Sequence, residues 1–102
     1  MSDNINEVTI QGTILDEVEE VVTSKGETFW CWRLRTLPDG DLPAMIFSVR
    51  SSNHNVWEAL EECLVDDLVS CTGKLVNRFW KSANGVVSRT EVLVTSMKRL
   101  DD

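Results

Sequence analysis

One segment of the sequence has the periodicity of a helix, in a chain whose other apolar residues mostly alternate with polar ones. Over residues 53–64 the apolar side chains recur at spacings of one, three and four, and three glutamates fill the opposite side. This pattern predicts an amphipathic helix of about three turns, with Ser52, Asn53 or Asn55 as its N-cap. One helix among alternating segments favours a mainly β fold.

Alternating segments flank this helix on both sides, and turn residues separate them. The predicted strands cover residues 7–11, with 18–23 continuing the same ribbon, then 28–36, 43–50, 68–80 and 86–97. The order is therefore three strands, one helix and two strands. This is the layout of a five-stranded OB-fold barrel with one short helix between strands 3 and 4. At 102 residues the chain predicts a single domain, with residues 1–4 and 101–102 frayed.

The last two predicted strands form the most informative part of the chain. Residues 82–85, Ser-Ala-Asn-Gly, join them, and Asn-Gly is a strong hairpin signal. Cations and aromatic rings are interleaved in the strand before this turn, at Lys74, Arg78, Phe79, Trp80 and Lys81. Such a mixture suits a surface that neutralises phosphates and offers flat faces to unstacked bases.

The total charge of the chain argues against this interpretation, but the distribution of charge along the sequence does not. The net charge is −7, which counts against nucleic-acid binding. From residue 68 to residue 99, however, there are six cations and one acid. The acids cluster elsewhere, within residues 16–20 and 58–67, and are expected to form solvated faces that repel DNA from the wrong surface.

Catalysis, metal binding and disulfides are not expected. Cys31, Cys63 and Cys71 are far apart and odd in number, and His54 has no neighbouring ligand to complete a metal site. We expect Cys31 and Cys71 to be buried, inert thiols and His54 to lie in a loop or at a helix start. With no nucleophile–base pair or glycine-rich phosphate loop, the sequence predicts a non-enzymatic protein without a cofactor.

The ends and apolar runs of the chain indicate no export and no membrane. The N-terminus has neither a basic region nor an apolar region of a signal peptide, and the apolar runs are far too short to span a bilayer. We therefore expect a cytoplasmic protein with no membrane partner.

Three stretches resemble the bacterial single-stranded DNA-binding proteins, and together they extend from about residue 4 to residue 100. They are Asn6-x-Val8-x-Ile10-x-Gly12, then Trp57-Glu58-Ala59-Leu60 with the link to Val69, and finally Gly73-x-Leu75-x-x-Arg78-x-Trp80 with Gly85 and Thr90-Glu91-Val92-x-Val94. The resemblance implies an OB-fold that binds single-stranded DNA without strong sequence preference, usually as a homotetramer. It also implies that Trp80 stacks on a base, with Arg78 and Lys74 beside the backbone on the same strand face.

Two departures from this family stand out. Its members usually carry stacking aromatics on the third strand, where this chain has Ala44 or Ile46, and Arg50. A guanidinium plane at Arg50 is able to replace part of that stacking. The sequence also ends at residue 102 without the long tail, tipped by acidic and apolar residues, that recruits partners in this family.

Two interpretations remain open for several side chains. Trp30 and Trp32 share a strand face with Leu34 and are expected in the core; with the opposite register they lie on the binding face. The second predicted strand also carries Arg33 and Arg35 on one face, which suits either phosphate contacts or solubility. The candidate nucleic-acid-binding residues are Trp80, Arg78, Lys74, Arg33, Arg35, Arg50, Lys81 and Arg89.

The sequence thus supports two hypotheses for function. The first is single-stranded DNA binding by a homodimer or homotetramer in replication, repair or recombination. The second is an OB-fold interaction module, an accessory subunit of a DNA-processing complex with little DNA affinity. The acidic net charge, the absent third-strand aromatics and the absent tail favour the second.

Overall fold

A computed structural model describes residues 5–100, which form six strands and one helix. The predicted frayed ends, 1–4 and 101–102, lie outside the described residues. No helix within residues 5–100 is long and apolar enough to cross a membrane. The elements are β1 (Val8–Ile14), β2 (Glu19–Val22), β3 (Thr28–Arg35), β4 (Ile46–Ser51), α1 (His54–Glu61), β5 (Leu68–Ser82) and β6 (Gly85–Arg99).

The strand pairings close on themselves. The order along the sheet is β1-β5-β6-β4-β3-β2, and β1 also pairs with β3. Five strands therefore complete a ring from β1 through β5, β6, β4 and β3 back to β1. The β4–β6 pair is parallel and the other pairs are antiparallel. This arrangement confirms the predicted OB-fold barrel with its helix between the third and fourth barrel strands.

The sixth strand arises because the first barrel strand is interrupted. β1 pairs with the end of β3, Ile14 opposite Leu34, and β2 pairs with its beginning, Glu19 opposite Cys31. Both segments thus run along the same edge of β3, separated by residues 15–18. The prediction that residues 18–23 continue the ribbon of the first strand is confirmed.

The barrel core contains the tryptophans of β3. Trp30, Trp32 and Leu34 are buried, which confirms that this strand face points inward. The helix covers one end of the barrel, where Trp57 stacks on Trp30 with ring centroids 5.0 Å apart. Burial of these large apolar surfaces is the main force that stabilises the barrel.

The helix and the third barrel strand are shorter than the sequence predicts. The helix has eight residues and begins after Asn53, whose side chain accepts hydrogen bonds from Asn55 N and Val56 N. It ends at Glu61, and Glu62 N and Cys63 N then donate to carbonyls only three residues back. Leu64 N donates to the carboxylate of Asp67 in the link that follows. The strand β4 begins at Ile46 rather than at residue 43.

The β5–β6 hairpin is longer than the barrel. β5 alternates buried and half-buried residues up to Gly73, and nearly every residue from Lys74 to Thr90 is exposed. This change occurs at Gly73. A Cβ atom at this position would collide with the backbone carbonyl of Leu93, so a residue without a side chain is required there. The pairing register also shifts at this point, between Thr72 and Gly73. The outer half of the hairpin therefore extends from the barrel as a two-stranded arm.

Candidate nucleic-acid interface

Alternation along β3 places one set of side chains on the outer face of the barrel. Phe29, Cys31, Arg33 and Arg35 point away from the tryptophan core and are exposed or half-buried. Cys31 is only half-buried, so the expectation of a buried thiol is wrong at this position, because the outer face of β3 has no core above it. The expectation holds for Cys71, which is fully buried.

A row of arginines and aromatic rings crosses this outer face. The guanidinium carbon of Arg50 lies 4.8 Å from the ring centroid of Phe29. Arg50 in turn lies beside Glu91, and Arg78 lies on the other side of the same carboxylate, next to Trp80. We call these five residues the outer row; they come from β3, β4, β6 and β5 in that order.

Trp80 lies at the hairpin end of the outer row, against two guanidinium groups. The guanidinium carbons of Arg78 and Arg89 lie 5.1 Å and 5.5 Å from its ring centroid. Arg78 and Arg89 are cross-strand partners, so the hairpin register brings both to the ring. The tryptophan side chain remains 37% exposed. It therefore combines an accessible flat surface with two adjacent positive charges.

Glu91 is the buried charge at the centre of the outer row. The residue is 5% exposed, and its Oε1 lies 3.3 Å from Arg50 Nε and 3.2 Å from Arg78 Nε. Neither contact has the geometry of a hydrogen bond, so the attraction is between opposite charges. A carboxylate this deeply buried is tolerated because two cations face it.

Arg33 is bound to an acid of the same chain. Its Nε and Nη2 donate to the two carboxylate oxygens of Asp16 at 2.6 Å and 2.9 Å. This paired geometry is the one in which a guanidinium binds a carboxylate or a phosphate. The hydrogen bond from Arg33 holds the pKa of the Asp16 carboxyl below its ordinary value. It also raises the pKa of Arg33.

A cleft of about 410 Å³ lies between these groups. It is lined by acids of β2 and of the connection before it, and by arginines of β3 and the hairpin. The first acidic cluster is thus not confined to a separate solvated face but lines the cleft. Its charged lining consists of Asp16, Glu17, Glu19, Arg33, Arg78, Arg89 and Glu91.

The remaining candidate cations differ in position. Lys74 is exposed on the same face of β5 as Arg78 and Trp80, as predicted from the alternation. Arg35 is exposed at the end of β3, two residues beyond Arg33. Lys81 points to the opposite face of the hairpin from Trp80, because adjacent residues of a strand alternate. The structure therefore does not bring Lys81 together with the outer row.

Three residues of this surface were not identified from the sequence. Phe29 lies on the strand face opposite Trp30, and the sequence does not predict its pairing with Arg50. Asp16 is predicted only as a member of the acidic cluster within residues 16–20, and Glu91 only as the single acid of a basic segment. One signal was available for Glu91: it alternates with Arg89 on the strand that faces Arg78 across the hairpin.

The described residues contain no group of three or more histidine, cysteine or acidic side chains placed to hold a metal ion. His54 begins the helix, as expected, and its Nε2 lies 3.8 Å from Glu58 Oε1.

Comparison with known proteins shows a likeness in structure. No protein-family model matches the sequence. No curated protein matches it either. Plasmodium falciparum SSB, solved in complex with ssDNA, has a TM-score of 0.78 and 16% identity, with 99% of each chain covered. Two crystal structures of the S. cerevisiae mitochondrial single-stranded DNA binding protein Rim1 have TM-scores of 0.79 and 0.80 at 14% identity. They cover 98% of this chain and 99% and 98% of theirs.

The chain therefore has the OB-fold found in single-stranded DNA-binding proteins, over its whole described length. At these identities the likeness concerns the fold. That the chain belongs to the bacterial branch of these proteins stays a prediction.

Proposed function

We propose that this protein binds single-stranded DNA without strong sequence preference, by stacking bases on aromatic rings and neutralising phosphates with arginines. The outer row is the observation that carries the proposal. It places two aromatic–guanidinium pairs, Phe29 with Arg50 and Trp80 with Arg78, on one outer face of an OB-fold barrel. Base stacking on such rings is tolerant of sequence because every base has a flat face.

The roles of the candidate residues follow from their positions. Trp80 and Phe29 supply stacking surfaces, and Arg50 adds a planar guanidinium that stacks on a further base. Arg78 and Arg89 meet phosphates beside the stacked bases, and displaced counterions favour binding. Backbone contacts farther along the nucleic-acid strand belong to Lys74 and Arg35, and Arg33 joins them only where a phosphate displaces Asp16. Lys81 contributes from the opposite face of the hairpin.

The acidic net charge of −7 limits where the nucleic acid passes. The acids Asp16, Glu17 and Glu19 line part of the cleft, so a phosphate chain is repelled from them and attracted toward the hairpin arm. The strand path therefore runs over Arg78 and Arg89 rather than across the connection between β1 and β2.

The biological setting we propose is protection of exposed single strands in replication, repair or recombination, in the cytoplasm. We also propose that the protein acts as a homodimer or homotetramer, in which a strand passes from one barrel to the next. Sedimentation equilibrium measures the oligomeric state directly; a monomer at all concentrations would contradict this part of the proposal.

The test is a titration of fluorescently labelled oligo-dT of about 35 nucleotides, long enough to cover several OB-folds, at low and moderate salt. We expect binding that weakens as salt rises. The salt slope, which is the slope of the logarithm of the binding constant against the logarithm of the salt concentration, should be about −0.7 per phosphate neutralised. Competition with oligo-U and duplex DNA measures the preference for single-stranded DNA. No binding at low salt would refute the proposal and favour the protein-interaction module.

A further inference from the structure

The outer row places one buried carboxylate between two arginines, and this arrangement has a physical consequence. Two guanidinium groups so close together repel each other, and each long side chain has many rotamers when free. Glu91 lies within 3.3 Å of both Nε atoms and is itself fixed by burial in the sheet. The carboxylate therefore offsets the repulsion and holds both side chains against one fixed point.

The fixed point also sets the aromatic contacts. Arg50 reaches from Glu91 to the Phe29 ring, and Arg78 reaches from Glu91 to the Trp80 ring. Arg50 is largely enclosed, its side chain 20% exposed, whereas the side chain of Arg78 is 43% exposed and opens toward solvent. One carboxylate thus orients two adjacent guanidinium planes, each of them against an aromatic ring at one end of the outer row.

We propose that Glu91 is the positioning residue of the interface, which pre-orders Arg50 and Arg78 so that both guanidinium planes are held ready for single-stranded nucleic acid. The inference rests on the proposed function, since it concerns the same surface. It assigns a favourable role in anion binding to a negative charge. Side chains that are ordered before binding lose less conformational entropy when the ligand arrives.

This role makes a prediction opposite to that of charge counting. Glu91→Gln removes one negative charge from an acidic protein, and charge alone predicts tighter binding of a polyanion. Positioning predicts the reverse, because the two arginines separate when the carboxylate is lost. Glu19→Gln is the matched control: it removes the same charge from the lining of the same cleft, where Glu19 is exposed.

The experiment measures oligo-dT affinity of the wild type, Glu91→Gln and Glu19→Gln, with thermal unfolding as the check on folding. We expect the dissociation constant of Glu91→Gln to rise about fivefold or more, since two ordered side chains are released. We expect that of Glu19→Gln to stay equal or fall. Tighter binding by both variants would overturn the inference and leave Glu91 as a charge that only weakens binding.

A second measurement needs no nucleic acid and separates this inference from the proposed function. In the wild type, the NMR order parameters of the Nε–H bonds of Arg50 and Arg78 are expected to be high, and in Glu91→Gln to fall to that of exposed Arg35. If the wild type fails to bind oligo-dT, the proposed function fails while high order parameters still support the ordering by Glu91. Low order parameters in the wild type would overturn it.

Glu91→Asp serves where Glu91→Gln fails to fold. It keeps the charge and shortens the reach by one methylene, so we expect partial loss of affinity and intermediate order parameters for the two arginine side chains. Wild-type affinity with wild-type order parameters in Glu91→Asp would show that the position of the carboxylate does not matter, which contradicts the inference.

Discussion

Arg33 and Asp16 form a paired hydrogen bond at 2.6 Å and 2.9 Å, so the guanidinium fork already holds a carboxylate of its own chain. A phosphate has to displace Asp16 before it reaches Arg33 with this geometry. The arginine is therefore restrained as a binding group even though half of its side chain is exposed.

Removing the competing carboxylate should release Arg33. We predict that Asp16→Asn binds oligo-dT more tightly and steepens the salt slope by about 0.7, the increment of one phosphate contact. The measurement is fluorescence anisotropy at several salt concentrations. A double-mutant cycle supplies the control: Arg33→Ala should matter little in the wild type and more in the Asp16→Asn background. Equal losses in both backgrounds would mean that Asp16 does not compete.

The same pair has a defined pH dependence. Because Arg33 lowers the folded-state pKa of Asp16, the pair stabilises the native state above the ordinary pKa of an aspartate. This contribution is lost as the pH falls through the lowered value. We predict that the NMR titration of the Asp16 carboxyl shifts to lower pH than in Arg33→Ala. An unchanged titration in that variant would show that the pair does not form in solution.

Stacking on the Trp80 ring should contribute to the affinity for single-stranded DNA of any sequence. We predict that Trp80→Ala weakens binding by about 1–3 kcal/mol, the range for one stacked base, to a similar extent for oligo-dT and a mixed-sequence strand. Trp80→Phe keeps a smaller ring and should retain part of the affinity. Quenching of tryptophan fluorescence by the oligonucleotide is expected in the wild type and should shrink in Trp80→Phe. Unchanged affinity in Trp80→Ala would remove this residue from the interface.

The two faces of the hairpin arm should differ in their salt dependence. Arg89 lies over Trp80, whereas Lys81 points to the other face. We predict that Arg89→Ala flattens the salt slope by about 0.7 and that Lys81→Ala, which removes an equal charge, changes it less. Salt titrations of both variants with oligo-dT test this difference. Equal slopes would indicate that total charge, and not its position on the outer face, governs binding.

Cys31 provides a chemical probe of the cleft. It lines the cleft, whereas Cys63 lies just after the helix and lines a separate cavity. Burial raises the pKa of both thiols and raises that of Cys71 to about 12. We predict that iodoacetamide at about pH 8.5 modifies Cys31 and Cys63 slowly and spares Cys71.

Bound oligo-dT should slow the reaction of Cys31 and leave the rate at Cys63 unchanged, as mass spectrometry of the modified peptides measures. Equal protection of the two cysteines would indicate a global effect on the protein and not occupation of the cleft.

Local patterns predicted most of the architecture. The alternation of Trp30, Trp32 and Leu34 places three large side chains on one face, and burial of that face fixes the strand register. The bounds of the helix were less predictable, since the chain leaves the helix after Glu61 for the link to β5, where Leu64 N donates to the Asp67 carboxylate.

The sequence predicted which residues belong to the candidate site, but not how most of them contact one another. The hairpin register predicts that Arg78 and Arg89 meet beside Trp80, because a two-residue turn fixes which residues of the two strands are partners. The contact of Arg50 with Glu91 cannot be predicted in this way. It depends on the parallel pairing of β4 with β6, and 33 residues lie between the end of β4 and the start of β6.

The sequence by itself determined the order of strands and helix along the chain, the inward face of β3 and the segment where cations meet aromatic rings. Each of these depends on periodicity or on neighbours within a few residues. The tertiary structure alone decided that Glu91 is buried between two arginines and that Asp16 occupies Arg33. These relations depend on pairing between segments that are distant in sequence, since β5, β6, β4 and β3 lie side by side only in the folded sheet.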